Sequence, residues 1–350
     1  MKTVFTDQLK LLLDALAGQM AVYVPKLVGE HYVYDKYDAQ GKTVPEINNI
    51  CCCVPVKEFL FPMRELAAVY PKAAEPKDVE PFAVFGLKDC DLKSVEILDK
   101  VFLEEPFKDP FYTAQRENML IISSDCSPAE SCFCSIFSGK TFASDGFDLN
   151  VSKTKDGFII ETGSKKGEDF IEKHSALFTE VPEGLLAVRD ENRVRAQKQL
   201  EQNNAEYKFE GTIKELVENN DDSNVFDVEA KDCVECQGCT RICPTCHCFY
   251  LYDRKQADYF AKMKMWDSCM RQAYAAVAGG ANPRKILGDR LKHRLLHKLV
   301  YFFDRYGIDM CVGCGRCVMT CAGGIDMRKI LKKLDEESKD RSTKQVKVAK

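Results

Sequence analysis

Two runs of four cysteines, spaced alike, constrain this chain more than anything else in it. Cys233-x2-Cys236-x2-Cys239-x3-Cys243-Pro244 has the spacing by which ferredoxins hold [4Fe–4S] clusters, and Cys311-x2-Cys314-x2-Cys317-x3-Cys321 repeats it. The reason is geometric. Three thiolates two residues apart let one tight loop wrap three corners of a cubane, with Gly238, Gly313 and Gly315 leaving room for the backbone. The fourth cysteine is carried off by a helical turn to the neighbouring cluster. This pairs Cys233, Cys236 and Cys239 with Cys321, and Cys311, Cys314 and Cys317 with Cys243. The second run has Ala322 where proline usually follows; that residue ligates nothing, so only local geometry is affected.

The end of the first run, "CPTCHC" at 243–248, also has the spacing of a c-type haem attachment site or of a redox dithiol. Both need Cys243 free, and the cluster motif already uses it. Compartment points the same way. The start, "MKTVFTDQLKLLLDALAGQM", places Leu9, Leu12, Leu13 and Leu16 at helical spacing but interrupts them with Asp7, Gln8, Lys10 and Asp14. That is an amphipathic helix, with Thr6 or Asp7 as its N-cap, and not a signal peptide or a membrane span. The expected location is the cytoplasm, where 18 cysteines serve metal more readily than disulfides. A net charge of −4 offers no general basis for binding nucleic acid or a membrane surface.

The expected fold class is α+β: an N-terminal α/β domain over 1–215, a mostly helical dicluster ferredoxin-like domain over 225–330, and a charged, solvated tail over 331–350. The polar stretch "VENNDDSN" at 217–224 marks the boundary. In the first domain "PFAVFGL" (81–87) and "NMLIIS" (118–123) read as buried strands. The first runs into Cys90 and a helix that Asp91 caps; the second runs into Cys126. Each cysteine so lies just past the carboxyl end of a strand, where open α/β sheets hold ligands. "LNVSKTKDGFIIETG" is a hairpin turning at Asp156-Gly157, and a charged helix covers 189–207.

Cys90, Cys126, Cys132 and Cys134 supply four more thiolates, which suit a third [4Fe–4S] cluster, a zinc ion, or inert burial. Cys246, Cys248 and Cys269 could join His247 or His297 in a further metal site, or pack beside the clusters. Cys51, Cys52 and Cys53 cannot all face one way on an extended chain and read as buried or weakly reactive thiols. Between the two runs, "RKILGDRLKHRLLHKLVYFF" (284–303) carries Leu287, Leu291, Leu295 and Leu299 in one stripe and Arg290, Arg294 and Lys298 in a parallel one. Like charges at i,i+4 repel. The basic stripe is therefore either a solvated face or turned towards an anion, such as the clusters or an acidic partner. Arg241 and Arg316, inside the two motifs, are candidates for raising a cluster's potential.

At these residues the chain resembles the iron–sulfur subunit family typified by the sulfhydrogenase beta subunit and its counterpart in anaerobic sulfite reductase. The likeness extends through "PVKEFLFPMREL" (55–66), "GLKDCDL" (86–92), "SDCSPAESCFCS" (124–135), "CPTCHCF" (243–249), "WDSCM" (266–270) and "RYGIDMCVGCGRCV" (305–318). The resemblance implies an electron-transfer subunit that works between two other chains. One is a flavin-containing NAD(P)H or ferredoxin oxidoreductase subunit; the other is a catalytic redox subunit of hydrogenase, sulfite reductase or heterodisulfide reductase type. No G-x-G-x-x-G follows a strand and no G-x-x-x-x-G-K-[ST] occurs, so nicotinamide and flavin chemistry are expected on another chain. The alternatives are a self-sufficient iron–sulfur reductase with its active site in the N-terminal domain, and a non-catalytic sensor.

Overall fold

In the computed structural model, residues 2–41, 45–47, 49–70 and 78–348 are described. The chain divides into two compact units. The first comprises Met1–Pro62, Ala74–Cys132 and Gly139–Gln202; the second comprises Met63–Ala73, Phe133–Ser138 and Asn203–Lys350. The division near Gln202/Asn203 precedes the polar stretch at 217–224, which belongs to the second unit. There Val217 and Val225 are core residues, and Asn220 closes the helix Ile213–Glu218 by donating to the Leu216 carbonyl at 2.8 Å. A polar composition therefore marks a helix–helix corner here and not a linker.

The described strands, in chain order, are β1 Thr3–Thr6, β2 Ala21–Val28, β3 His31–Lys36, β4 Arg64–Tyr70, β5 Phe82–Leu87, β6 Met119–Ser124, β7 Leu149–Lys153, β8 Phe158–Thr162, β9 Phe249–Lys255 and β10 Phe260–Trp266. In the first unit seven of them form one sheet of order β1-β8-β7-β6-β5-β2-β3. Its centre, β2-β5-β6-β7, is parallel, and antiparallel β3 and β8 flank it. Both apolar runs seen in the sequence are central strands, buried at every position, as parallel strands covered on two faces must be. The hairpin is β7–β8, with Lys153 opposite Phe158.

Helix Leu9–Ala17 lays Leu9, Leu12, Leu13 and Leu16 against this sheet and leaves Leu11 exposed. Each buried leucine contributes roughly 1.5–3 kcal/mol. The cap expected from Thr6 or Asp7 is not formed. Thr6 is tied into β1 opposite Phe158, so Gln8 stands at the cap without a side-chain bond. Asp91 likewise sits in the third position of helix Asp89–Phe102 and not at its cap; from there its carboxylate accepts the Lys88 N–H at 3.1 Å. The charged helix runs Leu185–Asn203.

The second unit is mostly helical, with one addition that the cysteine and leucine patterns did not announce: a three-stranded antiparallel sheet, β4-β10-β9. β9 has largely solvent-facing positions, and Lys264 in β10 is buried against Glu65 at 2.6 Å. Hydrophobic alternation therefore marks neither strand clearly. The carboxyl-terminal helix Met327–Val348 is more than a solvated tail. Met327, Ile330, Leu331 and Leu334 are at most 1% exposed and belong to the core of this unit. Residues 349 and 350 lie outside the described residues. No helix among the described residues is long and apolar enough to cross a membrane.

Candidate iron–sulfur centres

The two cysteine runs fold against each other through glycines. A Cβ on Gly323 would lie 2.1 Å from the Asp232 carbonyl oxygen, so the backbone just after Cys321 touches the backbone just before Cys233. A Cβ on Gly238 would meet Thr320 at 3.1 Å. Glu235 and Gln237 take left-handed conformations (φ 53° and 63°), which curl the first loop tightly enough to turn its thiols inward. The outcome is a small cavity walled by Cys233, Cys236, Cys239 and Cys321, with Cys317 and Arg294. The four cysteines assigned to one cluster from spacing thus share one cavity, and Cys317 of the other set also borders it. Cys236 is the exposed member.

Of the remaining set, Cys243 and Cys311 lie beside Lys298. Its ammonium donates to the Cys243 sulfur at 3.4 Å and to Thr245 Oγ1 at 2.9 Å. Cys311 lies within electrostatic reach of Lys298, Cys317 and Cys243; burial pushes its thiol up to about 12, against the pull of the ammonium. Cys314 is buried on the same loop. Gly313 and Gly315 hold that loop at φ 61° and 75°. Gly313 presses so closely on residues 133–134 that a Cβ would lie 2.5 Å from the Phe133 carbonyl oxygen.

Arg290, Arg294 and Lys298 are 3%, 4% and 2% exposed, so the basic stripe is not a solvated face. In the leucine stripe beside it Leu291, Leu295 and Leu299 are buried and Leu287 partly so, and the helix Leu287–Leu296 widens into a π-helical turn over His297–Tyr301, where Lys298 sits. Of the three, only Arg290 has a carboxylate partner among the described residues, Glu235 at 2.8 Å. Arg294 reaches the Cys239 carbonyl at 3.4 Å and the Met327 sulfur at 3.3 Å, and its Nε has no hydrogen-bond partner. Burial opposes the charge on Arg294. The sulfurs of Cys239, Cys317, Cys246 and Cys243 nevertheless hold its pKa above the ordinary value. At Lys298, Cys243, Cys246 and Cys311 overcome burial in the same way. Two buried cations without a carboxylate would each be unfavourable by several kcal/mol. A thiolate-ligated cluster, whose net charge is negative, supplies the missing anion, so these residues fit such a group.

The other cysteines are placed as follows. Cys246 is hydrogen-bonded to Cys243, which with burial keeps its thiol strongly protonated. Cys269 is hydrogen-bonded to Cys248, and Tyr274 donates to the Cys248 sulfur at 3.6 Å. His247 and His297 pack ring against ring at 5.9 Å. Among the described residues no three or more histidine, cysteine or acidic side chains are gathered for a single metal ion. Cubane ligands need not gather so closely, because the four corners of a cubane stand farther apart than the ligands of one ion. In the first unit Cys90 opens helix Asp89–Phe102 and Cys126 follows β6, both at the carboxyl edge of the parallel strands. Lys88 is buried there, donating to Ser124 Oγ at 2.7 Å and to the Asp125 carbonyl at 3.0 Å, with Cys126 and Cys52 within electrostatic reach. Cys132 belongs to this unit, whereas Cys134 belongs to the second. Cys51 and Cys52 are buried and Cys53 is partly so. Arg316 is fully buried, and Arg241 donates to Gln237 at 3.1 Å.

Residues 232–325 match the family model of the 4Fe-4S dicluster domain. Over 288 residues the chain is 34% identical to Sulfhydrogenase 2 subunit beta of Pyrococcus furiosus, covering 81% of this chain and 83% of that protein. The chain belongs to the sulfhydrogenase beta-subunit family. No solved structure matches. As a member of that family with a dicluster domain, it is an iron–sulfur electron-transfer protein of the 4Fe-4S type. Lys298, Thr245 and the Arg290–Glu235 pair are site residues to which the cysteine spacing gave no clue. The stripe of like charges was the signal available for Lys298 and Arg290.

Proposed function

We propose that this chain is the electron-relay subunit of a hydrogenase-type oxidoreductase complex. One [4Fe–4S] cluster is held by Cys233, Cys236, Cys239 and Cys321, and a second by Cys243, Cys311, Cys314 and Cys317. The observation that carries the reading is the interleaving of the two runs, in which Cys321 lines a cavity with the first three cysteines of the other run. The clusters supply one-electron chemistry when bound. The chain's own residues hold them, keep water off them and surround them with fixed charge. The exposed Cys236 loop is the side on which a partner comes close enough to exchange electrons. Two partners follow from the family likeness: on one side a flavin-containing NAD(P)H or ferredoxin oxidoreductase subunit, on the other a catalytic redox subunit.

Iron and acid-labile sulfide, counted per chain on anaerobically purified protein, test this. About eight of each support two clusters. About twelve, falling back to about eight in Cys132→Ser, support a third on Cys90, Cys126, Cys132 and Cys134. Iron near zero after reconstitution refutes the relay. Substrate turnover by the isolated chain with a chemical reductant would instead favour the self-sufficient reductase.

A further inference from the structure

The buried cations are distributed unevenly around the two cysteine sets, and the distribution is specific. Arg290 is neutralised by Glu235. Arg294, one turn later, lines the cavity of Cys233, Cys236, Cys239 and Cys321. Lys298, a further turn on, touches the Cys243 sulfur and is fixed there by Thr245, itself fully buried. Neither Arg294 nor Lys298 has a carboxylate within ion-pair distance among the described residues, so neither charge is cancelled by protein.

We propose that Arg294 and Lys298 set the reduction potentials of two different clusters. Arg294 raises that of the cluster on Cys233, Cys236, Cys239 and Cys321. Lys298 raises that of the cluster on Cys243, Cys311, Cys314 and Cys317. The inference rests on the ligand assignment above. Reduction adds one electron, so a fixed cation stabilises the reduced state more than the oxidised state, whatever the absolute charge of either. The effect is large because both cations are shielded from water, where charges interact more strongly than in solvent. It is graded and not exclusive, because Arg294 also has Cys317 and Cys243 within electrostatic reach; the interaction weakens with distance, so each cation, a helical turn from the other, acts most on the nearer set. The leucine stripe and the π-helical turn are what hold the pair in place: they anchor the helix so that successive basic residues present to successive cysteine loops. On this view the helix between the motifs is an electrostatic spine that tunes each cluster chiefly through the nearer cation.

The test is an anaerobic redox titration of the full chain followed by EPR, with iron and sulfide counted on the same samples. Lys298→Met is expected to make reduction of one cluster at least tenfold less favourable, a downward shift of about 59 mV per tenfold for one electron, with a smaller shift in the other. Arg294→Met is expected to do the same to the other cluster. Lys298→Arg should keep the potential near that of the unsubstituted chain, which a purely space-filling role would not require. Thr245→Val keeps the charge but releases the ammonium, so it should shift the same cluster as Lys298→Met, in the same direction and by less. Full iron with both potentials unmoved, or both substitutions acting most on the same cluster, overturns the inference while leaving the cluster reading intact. If Lys298→Met fails to retain iron, Thr245→Val decides, and an unmoved potential there overturns the role of Lys298. Iron near zero in the unsubstituted chain refutes the cluster reading itself, and this inference with it.

Discussion

Replacing Gly323 with alanine should empty one cluster site and leave the other filled. The added Cβ would stand 2.1 Å from the Asp232 carbonyl oxygen, 2.8 Å from its carbon and 3.4 Å from the Cys233 nitrogen. All three are backbone atoms, so no side chain can swing aside. To restore an ordinary contact of 3.4 Å the two segments must separate by about 1.3 Å. Metal–ligand distances tolerate about 0.2 Å, so a displacement of that size cannot be absorbed at the metal. Cys321, two residues before Gly323, would move with its loop, and the Ile325 N–H that donates to its sulfur at 3.3 Å would go with it. Overpacking of this kind costs about 1–3 kcal/mol even where the surroundings can give. The expected iron content is about four per chain instead of about eight, with one cluster signal lost by EPR. Gly324→Ala is the matched control. It is the next residue in the same loop, but a Cβ there would meet nothing within 4 Å, so only its φ of +66° is penalised, by roughly 1–2 kcal/mol. It should keep all its iron. A Gly323→Ala protein with full iron and unchanged EPR would show that the two runs do not close a site by this contact.

In the first unit Arg193 is buried between Asp125, at 3.1 Å, and Glu161, at 2.8 Å. Arg193→Met should destabilise that unit by about 3–5 kcal/mol, because it removes the ion pair of the buried Asp125, whereas Glu161 keeps Arg189 at 2.9 Å; denaturant titration reads this, and a loss below about 1 kcal/mol would contradict the burial argument. Arg316→Gln, which removes a fully buried charge inside the second motif, should lower a midpoint potential; an unmoved value removes Arg316 from the tuning set. His293 and His297 are held to about 4 and about 3, chiefly by burial and then by nearby cations, Arg284 for the first and His247 and Lys298 for the second. Their folded values lie below the unfolded value of about 6.5. The unfolded state therefore takes up protons first, and stability is complete above pH 6.5 and falls as pH drops towards 4. The slope is at most about 1.4 kcal/mol per pH unit for each ring, and less in practice because both keep some solvent contact. Unfolding of the anaerobic protein between pH 7 and 5 should show this loss, and His293→Gln with His297→Gln should flatten it.

How much of this was legible in the sequence depended on whether a feature was local. The strands β5 and β6, the β7–β8 hairpin and the first helix follow from apolar period and one Asp-Gly turn, because each buries its own pattern against a single layer. That Cys321 would stand beside the first run, as it does in lining one cavity with it, was expected for a different reason. Cubane geometry fixes how far three cysteines on one loop can reach, so a fourth must come from elsewhere. What could not be read was anything set by a neighbour distant in sequence. β9 and β10 carry weak alternation because one of their inward positions is Lys264, which only Glu65 makes tolerable. The carboxyl-terminal helix reads as charged because most of its residues are, while its core contact is confined to Met327, Ile330, Leu331 and Leu334.

The basic stripe shows the limit most sharply. Arg290, Arg294 and Lys298 at i,i+4 are equally compatible with a wet helix face and with a buried one, since periodicity gives the direction of a face but not what lies opposite it. Two facts would have decided it, and neither is written in local sequence. Three of the four stripe leucines, Leu291, Leu295 and Leu299, are themselves buried, which leaves the helix little surface for water. The carbonyl of Cys239 and the sulfur of Cys243, fifty-five residues earlier than the cations they meet, stand across from Arg294 and Lys298. A run of like charges inside a core is unstable by itself. It persists here because Glu235 pairs with Arg290 and cysteine sulfurs of the same chain face Arg294 and Lys298. The charge of the helix and the spacing of the cysteines are therefore one feature of the sequence, separated by distance along the chain.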